Sequence, residues 1–135
     1  MSSELDPVEA EEFILRRIHR DHYNPSLPIP FLPVAFKPTA DDEDGLSVYR
    51  ERFVTPAAVA AAGRTPGAYY VVRLAMSVLR QLNLTVVPVP ADLSGHAVIP
   101  ELNRKRYETD KANLKRIQLE LAKLAAQAIV LQPGG

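Results

Sequence analysis

Ala68-Tyr69-Tyr70-Val71-Val72-Arg73-Leu74-Ala75 decides the fold class of this chain. Aromatic and β-branched residues run through it, the composition of a strand. The turn Arg64-Thr65-Pro66-Gly67 precedes it. Ser77 is placed to cap one short helix, Val78-Leu79-Arg80-Gln81-Leu82, with Asn83 at a left-handed stop. Leu84-Thr85-Val86-Val87-Pro88-Val89-Pro90 follows as a strand that its prolines confine to a sheet edge. A strand, a helical turn and a strand form one compact unit, and the rest of the chain must pack on it.

Outward from this unit, Thr55-Pro56 caps an Ala-rich helix that Gly63 ends. Leu46-Ser47-Val48-Tyr49-Arg50 alternates as a short strand, and His96-Ala97-Val98-Ile99 is a second short apolar segment. Asp6-Pro7-Val8-Glu9 carries the signature of a helix start, and Val8, Ile14, Leu15 and Ile18 can share a helical face. The expectation is a helix over 7–19. Residues 24–45 are Pro-rich and then acidic, so they should run extended across the core. A long helix begins at about 104 or 109 and ends near 126, with Leu114, Ile117, Leu121, Leu124 and Ala128 as its apolar stripe. Ile129-Val130-Leu131 is a last strand candidate. The fold class expected is α+β: a small mixed or mainly antiparallel sheet, packed by an N-terminal helix and a long C-terminal helix. The 135 residues suit a single domain, with 1–5 and 132–135 expected to fray.

Composition excludes several function classes. The absence of Cys removes disulfides, thiolate nucleophiles and zinc ribbons. The first residues have neither a basic nor an apolar secretory region, and no apolar run could span a bilayer, so a cytoplasmic protein is expected, with no membrane partner. Sixteen basic residues balance sixteen acidic ones, which disfavours nucleic acid as a partner. The balance hides a split. Residues 1–51 hold 11 acids and 5 bases, and residues 52–135 hold 5 acids and 11 bases. The split is either a surface dipole or internal pairing.

His19 and His22 have the spacing of a metal pair, with Asp21, Asp41 or His96 as a third ligand, but a His near a helix C-terminus explains them as well. No metal and no cofactor are expected. His96 follows Gly95, a context that can expose an imidazole for acid–base work, although a His satisfying a turn carbonyl is the plainer reading. Asp41-Asp42-Glu43-Asp44 reads as a solvated charge run without calcium-loop spacing. Arg104, Lys105, Arg106, Lys111 and Lys115 could touch phosphates, although Glu108 and Asp110 dilute them. No P-loop or dinucleotide fingerprint is present.

Four motifs in order carry a resemblance: Arg16-Arg17-Ile18-His19, Ala35-Phe36-Lys37-Pro38, Asp44-Gly45-Leu46-Ser47-Val48-Tyr49-Arg50 and Gly95-His96-Ala97-Val98-Ile99-Pro100. Together they resemble a group of short bacterial proteins of unknown function, over residues 14–100. The resemblance implies a bacterial source and, by analogy, an accessory part of a multi-gene system such as a conflict, defence or toxin–antitoxin locus.

The leading expectation is a non-enzymatic protein-interaction module. Its partner-binding surface would be Ile29, Phe31, Leu32 and Phe36 in the Pro-rich segment, with a homodimer through the C-terminal stripe as a variant. The alternative is a small enzyme or a nucleotide- or anion-binding domain. It would use His96 as the catalytic group with Arg16, Arg17, His19, Ser47, Tyr49 and Arg50 as ligand-binding residues. A further alternative is a weak nucleic-acid binder through the basic C-terminal helix. The discriminating feature is a cleft that joins His96 to Arg16, Arg17, Ser47 or Tyr49.

Overall fold

The structure is a computed structural model that describes residues 3–134. Its elements, in chain order, are β1 (Phe13–His19), β2 (Leu46–Arg50), α1 (Pro56–Ala61), β3 (Tyr69–Ala75), α2 (Met76–Gln81), β4 (Val87–Pro88), β5 (His96–Ile99), α3 (Arg104–Thr109), α4 (Lys111–Ala126) and β6 (Ile129–Leu131). The six strands form one antiparallel sheet in the order β4-β5-β2-β1-β3-β6. The strand at 69–75 is an interior strand, between β1 and the edge strand β6. It pairs with β1 along its whole length, from Phe13 opposite Ala75 to His19 opposite Tyr69.

The largest correction to the sequence reading lies here: residues 13–19 are a strand and not the end of a helix. Helix-start chemistry does occur, but it closes a single turn. The Glu12 carboxylate accepts from the Glu9 N–H at 2.8 Å, and the Glu12 N–H donates to the Glu9 carbonyl at 3.1 Å. The chain then goes straight into β1. A central strand covered on both faces carries apolar residues on both. Ile14 and Ile18 pack into the larger core, and Leu15 packs into the smaller one. Apolar residues at i, i+1 and i+4 look the same in a helix and in such a strand.

The larger core lies between the sheet and α4, whose Leu114, Ile117 and Leu121 are buried with Ile14, Ile18, Val72 and Leu74. The stripe of α4 therefore faces this chain's own core through Leu114, Ile117 and Leu121, while Leu124 and Ala128 are half-buried. The smaller core joins Val59 and Ala60 of α1 to Leu15, Tyr49 and Val71. Thr55 caps α1 by accepting from the Ala58 N–H, as its sequence implies. The helix α2 starts at Met76, ahead of Ser77, and Ala75 caps it without a side-chain bond. Asn83 has φ of 61°, the left-handed stop expected of it.

The N-terminal segment is tied to the body at Glu4 and Asp6; residues 1, 2 and 135, part of the ends expected to fray, lie outside the described residues. Arg50, wholly buried, holds the Glu12 carboxylate through Nε at 2.9 Å and Nη2 at 2.7 Å. Its Nη1 donates to the carbonyls of Glu4 and Asp6. The Glu4 carboxylate accepts from the Gly95 N–H. Gly95 has φ of +82°, and a Cβ there would meet the Arg50 carbonyl at 2.9 Å.

The charge split is only partly paired across the halves, by Arg73 with Glu51 at 2.6 Å and by Arg52 with Glu12 at 3.8 Å. Asp41, Glu43 and Asp44 are exposed. Among the described residues, no helix is long and apolar enough to cross a membrane.

Candidate functional site

The ladder between β1 and β2 stops early. Ile14 faces Arg50 and Leu15 faces Tyr49, and the register ends there. Arg16 enters the gap. Its Nη1 donates to the Ser47 carbonyl at 2.7 Å, and its Nε and Nη2 donate to the Ala35 carbonyl at 3.1 and 2.7 Å. A side chain thus satisfies a strand carbonyl that a neighbouring strand would otherwise take. Burial pushes the Arg16 guanidinium down to about 10, with the Asp42 charge working against that and the Arg17 charge adding to it. At neutral pH the group is still a cation.

Arg17, the next residue of β1, packs among Tyr49, Tyr69 and Val59. Its guanidinium lies 5.5 Å from the ring centre of Tyr49 and 5.8 Å from that of Tyr69. Its Nη1 donates to the Tyr49 hydroxyl at 3.3 Å and to the Val59 carbonyl at 3.2 Å. Its Nε and Nη2 hydrogens meet no acceptor among the described residues, although a guanidinium has five N–H donors. Tyr69 is fixed from behind. A Cβ at Gly63 would lie 2.1 Å from the Tyr69 ring, so only glycine admits the ring there. Burial pushes the Tyr69 phenol up, but hydrogen bonds from Thr65 and the Arg17 charge outweigh it, and the phenol lies below its ordinary value.

Arg16 and Arg17 open onto one cavity of about 220 Å³, lined also by Thr39, Asp42, Ser47, Tyr49 and Tyr69. Among the described residues neither guanidinium is in an ion pair; the carboxylates that are paired belong to other cations. Asp42 is the one acid in the lining, and its Oδ2 accepts from the Thr39 N–H at 2.7 Å and from the Thr39 hydroxyl at 3.0 Å.

His96 stands behind Ser47. It faces Tyr49 in the β2–β5 register, with the two rings edge to face at 5.4 Å. Its Nδ1 lies 2.7 Å from the Val89 carbonyl and its Nε2 lies 3.2 Å from the Ser47 hydroxyl. A carbonyl oxygen only accepts, so Nδ1 carries the proton. In the neutral imidazole Nε2 is then the acceptor, and Ser47 Oγ–H donates to it. The Val89 N–H also donates to the His96 carbonyl at 3.1 Å, which ties the two residues together twice.

The structure therefore brings together Arg16, Arg17, Ser47, Tyr49 and His96, residues distant in sequence. It does not bring Arg50 or His19 to the cavity. Arg50 is wholly engaged with Glu12 and the N-terminal carbonyls, which corrects its expected ligand role. His19 Nδ1 accepts from the Asp21 N–H at 3.1 Å, and its ring packs edge-on against Tyr69. No group of three metal-ligating side chains occurs among the described residues.

Two of the expected partner-binding residues are also corrected. Phe31 and Phe36 are 0% exposed, because the Pro-rich segment turns them into the core. Ile29 and Leu32 are half-buried. The basic set is diluted by its own acids: Arg104 pairs with Glu108 at 3.3 Å and Arg106 with Asp110 at 3.5 Å, while Lys111 lies over the Tyr107 ring. Lys105 and Lys115 are exposed. The sequence reading missed Thr39, Asp42 and Tyr69. Only the pairing of β1 with β3 places Tyr69 beside Arg17, and no local motif announces it. The chain matches no protein-family model, no curated protein and no solved structure at a significant level.

Proposed function

We propose that this protein is a small anion-binding domain, which holds a phosphate or carboxylate group between Arg16 and Arg17. The observation that carries this reading is the convergence of two adjacent guanidiniums, neither ion-paired among the described residues, on one cavity. A partly buried cation without a counter-ion is costly unless a ligand or water solvates it. Guanidinium donors in a fixed fork suit phosphate and carboxylate oxygens. The volume of about 220 Å³ lies below that of a drug-sized pocket, so it suits one anionic group and not a whole nucleotide.

Thermal melting tests this. Phosphate added at constant ionic strength, against chloride, should raise the melting temperature of the wild-type protein and not that of Arg17→Gln. A ligand at about 100 times its dissociation constant adds about 2.7 kcal/mol. An equal response of both proteins would reject the site.

The protein-interaction reading keeps support at a different place from the one the sequence suggested. Val34 and Leu119 are 45% and 36% exposed, and they share a groove with Lys37, Lys115 and Gln118. Gln118 is buried, and its Nε2 has no hydrogen-bond partner among the described residues. An acidic peptide with an apolar side chain would suit that groove. Loss of a co-purifying partner in Val34→Asp, with the fold intact, is the expected outcome, and retention of that partner would exclude the groove.

A further inference from the structure

We propose that Ser47 is a nucleophile activated by His96, and that the substrate is a phosphoester whose phosphoryl group occupies the arginine cavity. This inference rests on the anion-binding reading above. Ser47 lies in the cavity lining, half-buried, and its hydroxyl hydrogen has an imidazole nitrogen to go to at 3.2 Å. The Val89 carbonyl fixes the tautomer that leaves that nitrogen free to accept. A nucleophile, a base and a group that orients the base are the parts such catalysis requires. The sheet holds them rigidly, because Ser47 and His96 sit on the paired strands β2 and β5.

Ser47 shares the cavity lining with both arginines, so an anion held by their guanidiniums lies beside its hydroxyl and is the reacting group. Arg16 donates to the backbone carbonyl of Ser47, which holds a positive charge at the same residue as the nucleophile. Ser47 Oγ forms a bond to phosphorus and gives its proton to His96 Nε2. The bond from phosphorus to the leaving oxygen breaks, and His96 gives that proton to the departing alcohol. Water then attacks the phosphoserine with His96 as base, releases phosphate, and returns the proton to Ser47 Oγ. The Arg17 donors on Nε and Nη2, which meet no acceptor among the described residues, take the charge on the phosphoryl oxygens.

A neutral organophosphorus fluoride, diisopropyl fluorophosphate, tests the nucleophile without needing the arginines. Intact-mass and peptide analysis of the full chain should show one adduct, on Ser47. Ser47→Ala should lose it. His96→Gln should acquire it at least about a hundredfold more slowly, the lower range for a general base, with circular dichroism checking that both variants fold. No adduct on Ser47, or equal labelling of His96→Gln, overturns the proposal. If phosphate still protects the wild-type protein against melting, the anion-binding reading survives that failure. Labelling of Ser47 without phosphate binding would instead reject the phosphoester class and the reading beneath it.

Discussion

Arg16 on β1 donates through Nη1 to the carbonyl of Ser47 on β2 at 2.7 Å, at the point where the ladder between those strands has stopped. The guanidinium is at once a structural bridge and the wall of the cavity. Arg17, its neighbour in sequence, makes two hydrogen bonds among the described residues, both through one nitrogen and both longer than 3 Å, and stacks on Tyr49 and Tyr69.

This asymmetry predicts different phenotypes for the two arginines. Arg17→Gln should weaken phosphate binding by about tenfold or more, the worth of a charged hydrogen bond, with little change in stability. Arg16→Gln should weaken binding and also lower stability by about 1–3 kcal/mol, because the Ala35 and Ser47 carbonyls lose their donor. Calorimetric titration and urea unfolding of both variants measure the split. Equal stability of the two would contradict the bridging role.

Glu12 predicts the acid limb of the stability curve. Burial pushes its carboxyl up, but the Arg50 hydrogen bonds, the Glu9 N–H and the charges of Arg50 and Arg52 outweigh this and lower its pKa below 4.5. A carboxylate lowered on folding contributes its full stabilisation above the unfolded value and loses it as pH falls through the folded one. Wild-type stability should therefore drop below about pH 4.5, the unfolded carboxylate range. Glu12→Gln should be weaker by about 3–5 kcal/mol at pH 7 and show a flatter acid limb. Urea midpoints between pH 3 and 7, at roughly one-unit steps, read both effects.

Gly63 gives a test at a distance from the cavity. Gly63→Ala puts a methyl group where the Tyr69 ring lies, so the ring must move. The variant should lose about 1–3 kcal/mol of stability and bind phosphate more weakly than wild type. Unchanged binding would separate Tyr69 from the site.

Much of the fold is legible in the sequence where local chemistry and tertiary packing agree. The strand at 69–75, the Thr55 cap, the Asn83 stop and the stripe of α4 are such places. The strand β1 is illegible for a physical reason: its Ile14 and Ile18 are buried in one core and its Leu15 in the other, and this pattern imitates a helix that the Glu9–Glu12 turn would start. The site was partly legible. Arg16, Arg17, Ser47, Tyr49 and His96 are polar residues inside otherwise apolar segments. The burial of Arg50 could not be foreseen, because its partner Glu12 lies 38 residues away. Phe31 and Phe36 read as exposed because prolines suggest a surface path, yet prolines also make the sharp turns that send a ring inward.

The helix α4 gives a contrast within three residues. Leu121 is fully buried against the sheet, and Leu119 is 36% exposed. Leu121→Ala should cost about 2–5 kcal/mol, whereas Leu119→Ala should stay within about 0.5 kcal/mol. Thermal melts of the two variants decide it, and similar losses would place α4 in the wrong rotation.

The most direct test of the anion site is the nitrogen-15 resonance of Arg17 Nε, whose N–H has no acceptor among the described residues. On titration with inorganic phosphate, this N–H signal should shift and exchange more slowly with water, with the exposed Arg64 and Arg116 signals unmoved. An Arg17 signal that stays still, or moves only in step with those of the surface arginines, would contradict the account.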